Sequence, residues 1–147
     1  MAYFTYDTSA IIARRSIDLR TDQSWLLLSS IVLLELTASA VDDSQRKAFE
    51  QLFREHQQNN SLLVQTDGDW LFASRILFWL SRRRRRVQGG RLRPLAPGMA
   101  QRMAFDALLA VTARARQAAI VTENWDDFKA IQYFCNVRLI KASDFFK

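Results

Sequence analysis

The sequence predicts an α/β protein: a mostly parallel sheet covered by helices on both faces. Short apolar or β-branched runs near residues 2–6, 25–28, 61–65, 118–122 and 137–141 are separated by stretches with helical periodicity. Such alternation is what parallel strands and their crossover helices produce. The 147 residues suit one domain, 1–147, large enough to bury about two-thirds of its unfolded surface. Four Gly and two Pro leave little room for linkers, and no internal repeat is evident.

Residues Ala2 to Tyr6 alternate weakly and are rich in aromatics and Thr, which predicts a buried first strand. Asp7-Thr8-Ser9 then precedes an apolar helix from Ala10 to Arg15, so capping explains Asp7 on local grounds. Ser16 to Ser24 is a polar connector. Trp25 to Leu28 is a strand, and Ser29 or Ser30 caps a helix from Ile31 to Ala40. Glu35 is the only charge between Gln23 and Val41, and its neighbours at three and four residues offer no ion-pair partner. A carboxylate on so apolar a helix costs several kcal/mol unless something compensates it.

Asp42 to Asn59 is a surface helix, with Asp42 or Asp43 as its cap and Ala48, Phe49, Leu52 and Phe53 as its apolar stripe. His56 continues that stripe as a core-edge residue. With this one histidine, Ser-His-Asp and Cys-His mechanisms have little support. Ser61 to Gln65 is a short strand and Thr66 to Asp69 a turn and cap. Trp70 to Leu80 is apolar on nearly every side, which predicts a helix that is central or covered by a second chain in a homodimer. It runs into Arg82, Arg83, Arg84, Arg85 and Arg86, where the helix dipole favours cations. Val87 to Gly98 is the clear loop. Met99 to Gln117 is a helix whose apolar face carries Asp106, with Arg102 four residues earlier as a possible ion-pair partner. Ala118 to Val121 is a strand, Trp125 to Ile131 a small helix capped by Asn124, and Val137 to Ile140 a last strand.

A net charge of +6, mostly from Arg, raises the expectation of a polyanionic partner, nucleic acid before membrane. One cysteine, Cys135, rules out an internal disulfide and a Cys-rich zinc site and suits the reducing cytoplasm. The first residues have the wrong charge order for a secretory signal. The most apolar window, Trp25 to Val41, is too short and too polar to span a membrane.

In a parallel sheet, polar residues after strand C-termini converge in one crevice. Asp7 and Thr122 to Asp127 follow strands in this way, and Glu35 and Asp106 lie on helices that can lean over the same edge. Crowded carboxylates repel unless a cation is present. Mg²⁺ or Mn²⁺ answers that need with oxygen ligands, can activate water and requires no histidine.

Four segments, YDTSAI (Tyr6 to Ile11), SSIVLLEL (Ser29 to Leu36), FDALLAVTA (Phe105 to Ala113) and VTENWDDF (Val121 to Phe128), stand in the order and spacing of PIN domains. The chain most resembles the toxin ribonucleases of the VapC kind. The resemblance covers nearly the whole chain. It implies a PIN-like three-layer α/β/α sandwich, metal-dependent endoribonuclease activity, homodimers and a small antitoxin whose C-terminal segment enters the acidic cleft. By the same resemblance Asp7, Glu35, Asp106 and Asp127 match the catalytic and metal-binding acids, and Thr122 and Asn124 the polar positions. Thr8 and Asp126 stand beside them as supporting groups, and Asp126 competes with Asp127 for the metal. Arg82 to Arg86 lie outside the family pattern and, with Arg102, are candidates for RNA or antitoxin contact.

Two other readings stand beside this one. A receiver-type phosphoacceptor domain would use Asp67, Thr122 and Lys141, but it leaves Glu35 unexplained and lacks an acid pair at the first strand. A catalytically silent RNA- or protein-binding domain would keep the fold alone.

Overall fold

The computed structural model describes residues 2–14, 17–20, 24–87 and 97–147, with the side chains of 84–87 and 97–101 outside the description. Among the described residues five short strands carry the fold: β1 (Phe4–Tyr6), β2 (Leu28–Ser29), β3 (Leu62–Leu63), β4 (Ala119–Thr122) and β5 (Leu139–Lys141). Strand β4 pairs in parallel with β1 on one side and β5 on the other, and β2 pairs in parallel with β3. A parallel bridge from Phe4 to Leu26 joins the two groups, so the order is β3-β2-β1-β4-β5.

Seven helices are present among the described residues: α1 (Thr8–Ala13), α2 (Ser30–Ala38), α3 (Asp43–Gln58), α4 (Asp67–Val87), α5 (Pro97–Ala115), α6 (Trp125–Gln132) and α7 (Ala142–Phe145). Strand order grows from β1 to β2 to β3 in one direction, then jumps back across β1 to β4 and β5. Right-handed crossovers therefore put α1, α2 and α3 on one face and α4, α5 and α6 on the other. The packing agrees, with α2 against α1 and α3, and α5 against α4 and α6. The result is the α/β/α sandwich that the sequence predicts. At the jump between β1 and β4 successive connections leave in opposite directions, which opens a crevice at the strand C-termini.

Local chemistry explains most boundaries. Ser29 caps α2 by accepting from the Ile31 amide at 3.2 Å, and Asp42 caps α3 by accepting from the Gln45 amide at 2.8 Å. Thr66 and Asp69 close a reciprocal box at the start of α4, each side chain accepting from the other's amide. Helices α3 and α5 both end on a left-handed residue, Asn60 (φ 55°) and Gln117 (φ 56°). Each turn sends an amide back five residues, Ser61 to the His56 carbonyl and Ala118 to the Ala113 carbonyl. The chain thereby passes from helix into strand with almost no loop.

Four expectations change. The strand expected at Trp25 to Leu28 is reduced to the Leu26 bridge and the two-residue β2. Helix α4 begins three residues early and is not central: Ala73, Ile76 and Leu80 are buried, while Trp70, Leu71 and Phe78 are more than half exposed in the single chain. Helix α7 was not foreseen; its Phe145 and Phe146 pack on Phe4 and Tyr6, the face of β1 opposite to Thr5 and Asp7. His56 is fully buried and joins α3 to the Leu19 carbonyl (2.6 Å) and the Ser61 hydroxyl (2.7 Å). It is a structural tie, remote from the crevice. Most of the loop expected at Val87 to Gly98 lies outside the described residues. No described helix is long and apolar enough to cross a membrane.

Candidate active site

The β1–β4 register sets the site. Tyr6 pairs with Val121, and the Asp7 amide continues the ladder by donating to the Val121 carbonyl at 3.1 Å. Asp7, one residue beyond β1, and Thr122, the last residue of β4, are therefore neighbours. Thr122 Oγ1 donates to Asp7 Oδ2 at 2.7 Å. Ser9 Oγ lies 2.8 and 2.9 Å from the two Asp7 oxygens, and the Ala10 amide donates to Oδ1 at 3.0 Å. Asp7 is thus both the cap of α1 and a member of the crevice. Burial nevertheless wins over these donors and raises its pKa, with a smaller push from Glu123.

Ser9 was not singled out in the sequence. It also accepts from the Glu123 amide at 3.2 Å, pinning the β4–α6 turn to the β1–α1 turn. Its position two residues after Asp7 was the available signal, but short-range capping explained it equally well.

Helix α2 supplies Glu35, which accepts from Thr8 Oγ1 at 3.0 Å. Burial raises its pKa and so does the Asp7 charge, against the lowering effect of Thr8. Helix α5 supplies Asp106, whose pKa is pushed up to about 7 by burial first, then by the charges of Asp7, Asp127 and Glu35. Arg102 opposes this shift, but its side chain is 61% exposed and water screens it. Three carboxylates and a dry wall outweigh one wet guanidinium.

Asn124 changes role. It occupies the cap position of α6, yet its side chain makes no capping bond. Its amide nitrogen donates instead to Asp106 at 3.2 Å and Asp127 at 3.1 Å. Arg102 does not close the expected i,i+4 pair with Asp106; it reaches Asp127 on α6 at 3.3 Å. The structure therefore ties Asp127 to the cluster, while Asp126 is exposed on the next position of the same helix.

The cleft holds about 200 Å³ and is lined by Asp7, Thr8, Ser9, Glu35, Asp106 and Asn124, with Arg102 at its margin and Ile12, Ile31, Phe105 and Leu109 as apolar wall. Arg82 and Arg83 lie elsewhere, at the far end of α4; the side chains of Arg84, Arg85 and Arg86 are outside the description.

Among the described residues no three carboxylate, imidazole or thiolate groups already stand close enough to complete a metal shell. The donor chemistry still fits a hard cation. Every ionisable donor in the cleft is a carboxylate, and Mg²⁺ is commonly held by one or two carboxylates with water and phosphate completing its shell. Burial raises the Asp106 pKa first and the charges of Asp7, Asp127 and Glu35 add to it, and a cation there would offset the charge part of that rise.

Neither a family model nor a curated protein matches the sequence. Solved structures do resemble it. A chain in the crystal structure of DNA-bound VapBC from Salmonella typhimurium superimposes with a TM-score of 0.59 at 21% identity, covering 97% of this chain and 99% of that chain. VapBC-1 from nontypeable Haemophilus influenzae gives 0.57 at 20% identity, covering 97% and 99%. FitAB bound to an IR36 DNA fragment gives 0.55 at 15% identity, covering 95% and 94%. At these identities the likeness is one of fold. The three-layer α/β/α architecture that the four sequence segments imply is the fold this chain shares with those chains.

Proposed function

We propose that the protein is a Mg²⁺- or Mn²⁺-dependent endoribonuclease and the toxin of a toxin–antitoxin pair. One observation carries the reading: four carboxylates, Asp7 from the β1–α1 turn, Glu35 from α2, Asp106 from α5 and Asp127 from α6, gather where the strand order reverses, and among the described residues the mostly exposed Arg102 is the cation that faces them. Asp7, Glu35, Asp106 and Asp127 would hold the cation. When bound, such an ion lowers the pKa of water and polarises a phosphoryl oxygen.

The protein's own groups have separable tasks. Thr122, Ser9 and the Ala10 amide fix Asp7 as an acceptor. Thr8 aims Glu35, and Asn124 holds Asp106 and Asp127 in one orientation. Arg102 stands at the rim, able to leave Asp127 for a substrate phosphate. Ile12, Ile31, Phe105 and Leu109 thin out water around the charges, which strengthens every electrostatic interaction there. The small cleft suits a single phosphodiester more than a folded duplex.

The toxin reading draws on the neighbours, which are VapBC and FitAB toxin–antitoxin complexes. A small antitoxin would place a C-terminal segment over the cleft, and a homodimer would cover Trp70 and Leu71 on α4. A cytoplasmic location accompanies both.

The receiver reading loses support from the sheet order. Asp67 heads α4 after the edge strand β3, with β2 and β1 between it and Thr122. A silent binding domain is the remaining competitor. Incubating RNA with the protein plus Mg²⁺ or Mn²⁺, with EDTA, and with Asp7→Asn or Asp106→Asn separates the two. Metal-dependent cleavage lost in both variants supports the nuclease; equal cleavage in all three proteins removes the site assignment.

A further inference from the structure

The C-terminal half of α4 and the end of α6 form a surface that the active site does not use. Tyr133 is 68% exposed, Phe78 53% and Trp79 38%. Arg83 lies over the Tyr133 ring at 3.8 Å and Arg82 over the Phe78 ring at 4.5 Å. Trp79 packs on Phe134 (5.6 Å) and Phe134 on Tyr133 (4.9 Å), so the rings are supported from below. Beyond Asp69, α4 carries no acidic residue at all, and Arg75, Arg82 and Arg83 are exposed.

We propose that this face is a second binding surface for single-stranded RNA, in which unstacked bases lie on Tyr133, Phe78 and the guanidinium planes while arginines meet the phosphates. Charge decides the occupant. Exposed rings among arginines also suit a protein interface, but a second copy would bring one Arg-rich helix end against another. A polyanion gains from the same charges. Duplexes bury their base faces, whereas a single strand offers every one of them to a ring.

Helix α6 runs from the site to this surface, and Asp127 and Tyr133 are six residues apart, about 9 Å of helix axis. At roughly 3.4 Å per nucleotide, a strand leaving the cleft needs only a few nucleotides to arrive. The proposal rests on the ribonuclease reading for its choice of ligand.

The test is equilibrium binding of a fluorescein-labelled oligouridine in EDTA, by anisotropy across a salt series, so that no cleavage is needed. Tyr133→Ala should weaken binding about fivefold to a hundredfold, and Tyr133→Phe should restore it. Replacing both Arg82 and Arg83 by Ala should lower the salt slope by about 1.4, or 0.7 per phosphate contact on a single strand. A labelled duplex should not respond to Tyr133→Ala. Circular dichroism checks that each variant folds, and the exposed arginine pair serves if Tyr133→Ala does not.

Wild-type affinity and slope in all the variants overturn the proposal. So does sedimentation showing that these substitutions split a dimer while RNA affinity is unchanged. A protein that binds through this face but cuts nothing defeats the nuclease reading alone. One that cuts RNA while its face variants bind normally defeats this one alone.

Discussion

Thr122 Oγ1 donates a 2.7 Å hydrogen bond to Oδ2 of Asp7, a residue 115 positions earlier in the chain. The bond is buried, and it exists because the β1–β4 register sets Asp7, just past β1, beside Thr122, the last residue of β4. Its hydroxyl also accepts from the Asn124 amide at 2.8 Å, so one side chain links strand β1, strand β4 and the start of α6. Thr122→Val keeps the shape and removes both bonds. We expect a loss of about 1–3 kcal/mol in stability, an Asp7 pKa moved further up, and a corresponding upward shift in the acid limb of the activity profile. Urea denaturation and a pH–rate profile measure the two effects.

Asp106 makes a prediction with a definite sign. Its folded pKa of about 7 exceeds the ordinary 3.8, so between those values the native state binds more protons than the unfolded chain. Stability of the metal-free protein therefore falls as pH rises from about 4 to about 7, where the loss is nearly complete. Asp106→Asn removes that penalty while keeping an acceptor for Asn124. It should stabilise the metal-free protein at pH 8 by on the order of 1–3 kcal/mol while abolishing cleavage. Thermal melts at pH 5 and pH 8 decide it: no gain at the higher pH means Asp106 is not strained by its neighbours.

A cation that relieves this repulsion must also stabilise the fold. Saturating Mg²⁺ or Mn²⁺ at about 100 times its Kd contributes about 2.7 kcal/mol, which at this chain length raises Tm by very roughly 10 °C. The shift should vanish in Asp106→Asn and return to baseline with EDTA. A Tm that ignores Mg²⁺ and Mn²⁺ in the wild type would count against the metal assignment.

Asp127 and Asp126 are adjacent but not equivalent. Asp127 meets Asn124 and Arg102, whereas Asp126 is exposed. Asp127→Asn should lower cleavage by about tenfold or more, and Asp126→Asn should leave it near wild type. The reverse order in a side-by-side kcat/KM comparison would exchange their roles.

Thr5 sits in the middle of β1, fully buried, and among the described residues its Oγ1 is the one buried side-chain polar atom without a hydrogen-bond partner. Val has the same shape and no hydroxyl to desolvate. Thr5→Val should stabilise the protein by about 1 kcal/mol without touching activity. A destabilised variant in calorimetry would mean that the hydroxyl is satisfied in solution.

The sequence by itself determined the strand and helix order, because alternating short apolar runs and helical stripes report burial on one or both faces. It also determined that Glu35 and Asp106 are out of place in ordinary packing, since an unpaired carboxylate on an apolar helix face is costly wherever the helix goes. The four segments shared with PIN domains were legible for the same reason: each is a local pattern. Tertiary structure decided everything that depends on register and on which side chains meet. It turned Asn124 from a cap into a bridge between two carboxylates, sent Arg102 to Asp127 instead of Asp106, and brought Ser9 into the Asp7–Thr122 junction. It also showed α4 to be half covered in the single chain, with arginines lying over its rings. Local propensity cannot express these outcomes, because a polar side chain beside a turn has two satisfactory partners, its own backbone or a residue a hundred positions away. Only the sheet's pairing chooses between them.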